Sequence, residues 1–153
     1  MLFSDSGKAV RFAEEDVRPM GREARGVRGM MLDPAQSVIS MLVAKGEEQS
    51  VLTATENGFG KRTAIAEYTR HGRGTKGMIA IQASDRNGKL IGAVLVSDSD
   101  ELMLISTGGV LIRTLVQDIR EMGRSTQGVT LINLDDGTKL AGIEKVIESD
   151  EES

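Results

Sequence analysis

The chain repeats itself every 51 residues, and no other feature restricts its fold as tightly. Gly7, Gly58 and Gly109 share that spacing, as do Arg11, Arg62 and Arg113; Gly21, Gly72 and Gly123; Arg22, Arg73 and Arg124; and Gly26, Gly77 and Gly128. Columns that recur at one offset mark a repeat architecture, in which each unit is a small module that buries its apolar face against the next. In the second half of the unit the offset drifts by one: Ile39 matches Ile91, and Ile91 matches Ala141. A one-residue insertion or deletion in a turn accounts for that drift. The spacing divides the chain into units 1–50, 51–101 and 102–147, with an acidic tail at 148–153.

Each unit reads as four short strands. "MLFS", "VLTAT" and "LMLIS" end in the glycine turns "SDSG", "TENG" and "STGG", and "KAVRF", "FGKRT" and "VLIRT" return from them. The segments "AEEDVRPM", "AIAEYTRH" and "LVQDIREM" have room for one helical turn at most. After the loops "GREARG", "GRGTKG" and "GRSTQG" come the third strands "VRGMML", "MIAIQA" and "VTLINL", then the fourth, "VISMLVA", "LIGAVLV" and "LAGIEKV". Four strands in about 50 residues is the length of one propeller blade. The expected fold is all-β, three four-stranded blades in a propeller-like, partial pinwheel, with about 12 strands in all. The chain has no tryptophan, which argues against WD-type blades, and it lacks the paired glycines and aromatics of kelch blades.

The absence of cysteine and the single histidine, His71, exclude disulfides and thiolate or histidine metal clusters. No metal, cofactor or catalytic cluster is expected, because no nucleophile, base and orienting group recur together. The glycine loops share their Gly-x-x-x-x-Gly frame with a nucleotide P-loop, but Val27, Met78 and Val129 follow where a lysine and a hydroxyl residue would be needed, so ATP binding is rejected. No apolar run approaches the length of a membrane span, and the start lacks the features of a signal peptide; a cytosolic protein is expected. The formal net charge of −4 resides in the last ten residues, "EKVIESDEES". The body is neutral, and its bases cluster. Arg18, Arg22, Arg25 and Arg28 stand against Glu23; Lys61, Arg62, Arg70, Arg73 and Lys76 stand against Glu67; Arg113, Arg120 and Arg124 stand against Asp118 and Glu121. Aromatic residues are 3% of the chain, too few for the stacking platforms of single-strand or RNA binders. Duplex DNA held by its phosphates fits these windows better. The glycines of "GRGTKG" would let backbone amides approach a phosphate while Arg73 and Lys76 supply charge; the alternative is an ordinary blade turn with solvated arginines.

The stretches "FSDSGKAVRF", "VRPMGREARGVRG", "VLTATENGFGKRTAIAEY", "RGTKGMIAI" and "MGRSTQGVTLI" closely resemble the C-terminal DNA-wrapping domain family of DNA gyrase A. The resemblance covers nearly the whole chain. It implies a six-bladed β-pinwheel with strands exchanged between neighbouring blades, of which these units look like the last three, and duplex DNA wrapped on a basic rim. It also implies a parent A2B2 assembly of gyrase A with gyrase B, bacterial and nucleoid-associated, that supercoils DNA with ATP. The family's heptapeptide QRRGGKG is absent; His71 to Gly77 keeps Arg73, Gly74, Lys76 and Gly77 of it. The single tyrosine, Tyr68, shares an apolar column with Val17 and Ile119 and is expected to pack rather than to act as a nucleophile. The candidate DNA contacts are therefore Arg11, Arg18, Arg22, Arg25, Arg28, Lys61, Arg62, Arg70, Arg73, Lys76, Arg113, Arg120 and Arg124. Arg11, Arg62 and Arg113 have a second option, pairing with acids such as Asp16 and Asp118. Two alternative functions are the equivalent domain of topoisomerase IV and a propeller-like protein-interaction scaffold.

Overall fold

The computed structural model describes residues 1–13, 29–44, 49–68, 77–82, 84, 86–124 and 126–146. Eleven strands are present among them. Unit one contributes β1 (Leu2–Ser4), β2 (Lys8–Val10) and β3 (Val38–Met41); unit two contributes β4 (Ser50–Thr55), β5 (Phe59–Ala64), β6 (Met78–Ile79) and β7 (Leu90–Val96); unit three contributes β8 (Glu101–Ser106), β9 (Leu111–Leu115), β10 (Val129–Thr130) and β11 (Leu140–Val146), with β4 and β8 each beginning one residue before the boundary read from the repeat. The helical content among the described residues is two single 3₁₀ turns, Ile65–Glu67 and Val116–Asp118, at the positions where the sequence allowed one turn.

The strands form three antiparallel sheets in the orders β3-β1-β2-β6, β10-β5-β4-β7 and β11-β8-β9. The third strand of each unit therefore leaves its own sheet and completes the sheet of the unit before it: β6 pairs with β2 (Lys8 opposite Ile79) and β10 pairs with β5 (Gly60 opposite Val129). This explains why the expected third strand of unit one is not found in residues 29–32. A third strand pairs with the second strand of a preceding unit, and the described residues include no such strand for unit one. The last sheet stops at three strands for the converse reason.

One irregularity recurs in all three units. The register of the first strand against the fourth shifts between Phe3 and Ser4, between Ala54 and Thr55, and between Leu140 and Gly142 opposite Ile105 and Ser106. These β-bulges leave Ile39, Ile91 and Ala141, one repeat column, unopposed, and a bulge at a fixed place gives every blade the same added twist.

The apolar residues pack between units rather than within them. One core joins Met1, Phe3 and Ala9 of unit one to Val51, Ile65, Tyr68, Ala80, Ile81, Leu90 and Ala93 of unit two. The other joins Leu52, Ala54 and Val96 of unit two to Leu102, Leu104, Val116, Ile119, Ile132, Leu140 and Ile143 of unit three. β4 is consequently buried on both faces, with Val51 turned to one core and Leu52 and Ala54 to the other. The equivalent β8 alternates, with Leu102 and Leu104 buried and Glu101, Met103 and Ile105 half-buried, because unit three has a neighbour on one side only.

Leu52 and Met103 occupy the same repeat column, so their truncations isolate the effect of a neighbour. Leu52→Ala is expected to destabilise the chain by about 2–5 kcal/mol, and Met103→Ala by clearly less, as measured by urea unfolding.

Candidate nucleic-acid interface

Of the candidate cations, Arg11, Lys61, Arg62, Arg113, Arg120 and Arg124 lie among the described residues; Arg18, Arg22, Arg25, Arg28, Arg70, Arg73 and Lys76 lie outside them, as do His71 and the acidic tail. The described six are not equivalent.

Arg11 and Arg62 are ties between units. The Arg11 Nη1 donates to the carbonyl oxygens of Ile65 (3.2 Å) and Tyr68 (2.9 Å), at the 3₁₀ turn of unit two. Arg62 repeats the arrangement one unit on: its Nε donates to Ile119 O at 2.6 Å, and Ile119 is the repeat equivalent of Tyr68. Backbone bonds reinforce the second tie, from Met122 N to Arg62 O (2.7 Å) and from Arg62 N to Arg120 O (3.5 Å). The Arg62 Nη1 also meets Asp98 at 2.5 Å, and its side chain is only 12% exposed. Asp98 therefore takes Arg62, in place of the Asp118 that the sequence offers as its acid. Arg113 makes no such tie among the described residues; it turns to Glu101 on the neighbouring strand of its own sheet and is 50% exposed.

Lys61 corrects the expectation most clearly. The sequence puts it on a basic rim, yet it is fully buried, and its Nζ donates to Gly123 O (2.7 Å), Arg124 O (2.5 Å), Thr126 O (2.9 Å) and Thr126 Oγ1 (3.0 Å). An ammonium has three protons, so these four oxygens occupy it completely. The loop "GRSTQG" of unit three thus turns its carbonyl groups inward onto a lysine of unit two. Burial lowers the pKa of Lys61 to about 8, with Glu67 opposing and Arg124 adding to the shift.

Arg124 reaches back across the same interface. Its Nε donates to Glu67 O (3.2 Å), its Nη1 to Ile79 O (2.7 Å), and its backbone amide to the Glu67 carboxylate (3.2 Å). Arg120 is exposed.

The glycine that closes the loop also has a packing reason. Gly77 and Gly128 adopt φ of +89° and +84°, and a Cβ on them would lie 2.5 Å from Ala9 O and 2.6 Å from Gly60 O, on the second strand of the preceding unit. Any other residue there would hold the units apart. Tyr68 is buried in the first core, edge-on to Phe3 with ring centroids 6.0 Å apart, and burial pushes its hydroxyl pKa up. It packs, as its column indicates.

Reasoning from the repeat missed Arg86, which has no counterpart in the arginine columns. Its guanidinium stacks 4.1 Å above the Phe59 ring and donates to Gly128 O (3.1 Å) and Gln127 Oε1 (3.3 Å), another tie from unit two to unit three. No group of His, Cys, Asp or Glu among the described residues is arranged to hold a metal, and no helix among them is long and apolar enough to cross a membrane.

The profile of the DNA gyrase C-terminal domain, a beta-propeller, matches residues 1–45, 49–97 and 100–147, one match for each unit of this geometry. The chain belongs to the DNA gyrase C-terminal domain family. The DNA gyrase A protein of Pseudomonas aeruginosa is 53% identical over 97% of the chain, which spans only 16% of that relative's length. The solved DNA gyrase A C-terminal domain superposes with a TM-score of 0.86 at 29% identity, over 95% of this chain and 50% of that one. The C-terminal domain of DNA topoisomerase IV superposes with a TM-score of 0.88 at 25% identity, over 95% of this chain and 45% of that one. In this gyrase-family chain, then, four of the six described candidate cations hold blades together.

Two outcomes test these assignments. Arg62→Ala should cost about 1.5–3 kcal/mol of stability, the range for hydrogen bonds to a charged group, whereas Arg120→Ala should stay within about 0.5 kcal/mol, both by chemical unfolding. The folded chain releases the Lys61 proton near pH 8 and the unfolded chain holds it to about pH 10.5, the ordinary value. Raising the pH across that window should therefore stabilise the wild type relative to Lys61→Met, and the gain should vanish below pH 8, as read from paired melting curves.

Proposed function

We propose that the chain is a non-catalytic module that binds and wraps duplex DNA for a type II topoisomerase of the gyrase class. The observation that carries the reading is the match of the gyrase C-terminal domain profile to all three units. In the parent, units 1–50, 51–101 and 102–147 would present successive rims to one DNA path, beside the remainder of gyrase A and with gyrase B in an A2B2 assembly. That holoenzyme would introduce negative supercoils at the expense of ATP in the bacterial cytoplasm, at the nucleoid. The likeness to the topoisomerase IV domain supports the equivalent role in that enzyme as a second reading.

The mechanism is delocalised. Cations on consecutive rims neutralise phosphates and release their counterions, and that gain offsets the cost of bending the duplex. The charge for this falls to Arg18, Arg22, Arg25, Arg28, Arg70, Arg73 and Lys76, with Arg120 at the third unit. The internal engagement of Arg11, Lys61, Arg62 and Arg124 supports dividing the candidates in this way. Unit three then holds the least phosphate-facing charge and stands beside the acidic tail, whose field extends over a Debye length of about 8 Å.

With on the order of five phosphates neutralised, the slope of log K against log salt should be near −4 to −5, with little preference among duplex sequences. Substituting Arg73 and Lys76 together by alanine should flatten that slope and weaken binding more than Arg124→Ala does. Deleting residues 148–153 should tighten binding modestly at one fixed salt concentration. A flat slope in the wild type, or looser binding on tail deletion, overturns the reading.

A further inference from the structure

The chain has three asparagines, Asn57, Asn87 and Asn133, and the first two stand directly before a glycine. An Asn-Gly pair carries a reaction of its own. The glycine amide nitrogen attacks the asparagine Cγ, a bond forms between them, and the carboxamide nitrogen leaves as ammonia; water then opens the cyclic imide on either side to give aspartate or isoaspartate. Glycine favours the ring because no side chain crowds it and its backbone turns freely. Whether nitrogen and carboxamide can meet depends on the fold, and the two pairs, both in unit two, are held in opposite ways.

Asn57 and Gly58 lie in the turn between β4 and β5, with Asn57 half-buried. Its Nδ2 donates to Arg86 O at 3.0 Å and its Oδ1 accepts from Lys139 Nζ at 2.6 Å, both at the surface. The ammonium stands where negative charge gathers on Oδ1 as the ring closes, so it favours the reaction. The acid that results keeps Lys139 as its partner.

Asn87 is fully buried. It lies in the turn before β7, which is longer than its equivalents: Leu90 follows Gly77 by 13 positions, whereas Val38 follows Gly26 and Leu140 follows Gly128 by 12. The longer turn reaches unit three. Asn87 Nδ2 donates to Gln82 O (2.9 Å) and to Gln127 O (2.8 Å), and Arg86 beside it holds Gly128 O (3.1 Å). Gly88 N, the attacking atom, is occupied by Ser84 O at 2.9 Å. Asn87 Oδ1 is buried with no donor beside it among the described residues, so charge developing there meets no compensation. Ammonia cannot leave without breaking the bond to Gln127 O, and that bond fastens the loop of unit three.

We propose that Asn87–Gly88 is a latent deamidation site, kept unreactive by the docked loop of unit three, and that its conversion unfastens that loop. An aspartate or isoaspartate at 87 presents oxygen, in place of Nδ2, to the carbonyl oxygens of Gln82 and Gln127. Both carbonyl groups lose their donor, and a new charge is taken up at a buried position. Ring closure at Asn87 requires the turn and the loop to part first, so the modification makes a transient opening between units two and three permanent. Asn57, the same dipeptide at a surface turn, is the internal standard. The inference rests on the fold and is independent of DNA binding.

The test is peptide mapping by mass spectrometry of the intact chain held in warm buffer at neutral pH, with a parallel sample unfolded in urea. In urea both pairs should convert at similar rates, since both are Asn-Gly. Relative to urea, the folded chain should slow Asn87 by at least about tenfold more than Asn57, the factor that one modest local opening equilibrium imposes. Arg86→Ala releases Gly128 O but keeps the main-chain oxygen that Asn57 uses; it should raise conversion at Asn87 several-fold and leave Asn57 unchanged. Asn87→Asp should unfold at a lower urea concentration than Asn57→Asp, which should stay near the wild type. Equal protection of the two pairs overturns the proposal. So does an Arg86→Ala chain in which Asn87 is as protected as before, because unit three would then not be the gate. An Asn87→Asp chain as stable as Asn57→Asp also overturns it, because conversion would then unfasten nothing.

Discussion

The loan of a strand from each unit to the one before it is the constraint on which the rest depends. A two-residue strand such as Met78–Ile79 is too short to hold a sheet by its own hydrogen bonds. It persists because the same segment carries Ala80 and Ile81 into the core between units. The sheet edge is thereby covered, which removes the hazard of an open edge strand in the interior of the stack. No unit is complete alone, so the folding of one blade is coupled to that of the next, as in any nearest-neighbour array.

That coupling dictates where special residues are needed. Gly77 and Gly128 stand where the lent strand enters, against a carbonyl of the receiving strand, so a side chain there would part the two units. Arg11, just after the receiving strand, and Arg62, on it, reach forward to carbonyl groups at the neighbour's 3₁₀ turn: Tyr68 O and Ile119 O at its end, and Ile65 O, which also accepts from Tyr68 N. Arginine suits this position because its guanidinium holds several donors in a fixed plane and is less costly to desolvate than an ammonium. Lys61 is the costlier solution: a compact charge taken out of water and compensated by four oxygens from one loop. Its benefit is specific, because the loop of unit three cannot adopt another course without stranding the charge.

The fold was largely legible in the residues. The 51-residue period, the glycine turns and the alternation of short apolar runs point to three four-stranded units, and the drift in the period falls in the turn before the fourth strand. Strand ownership was not legible. A strand lent to a neighbour has the same sequence as one that stays, so the missing third strand of unit one could be understood only from the sheet order. The candidate site was harder to read for a related reason. A column of arginines recurs whether it binds a repeated ligand or a repeated neighbour, since both have the period of the unit. Partners such as Ile65 O, Tyr68 O and Gly123 O are main-chain atoms and leave no mark in the sequence at all.

The difference between the two kinds of cation has a physical signature that composition hides. A cation committed to carbonyl groups within the protein keeps its formal charge but spends its donors, so it contributes to the long-range field without offering a contact. The net charge of a window therefore overstates what its rim can grip. In unit two the window rich in bases includes Lys61 and Arg62, both engaged across the interface with unit three, so its net charge counts two cations committed within the protein. In unit three Arg124 is engaged across the interface and Arg113 is paired with Glu101 of its own sheet. The number of bases in a window is therefore an upper limit on the contacts that window can offer to a polyanion.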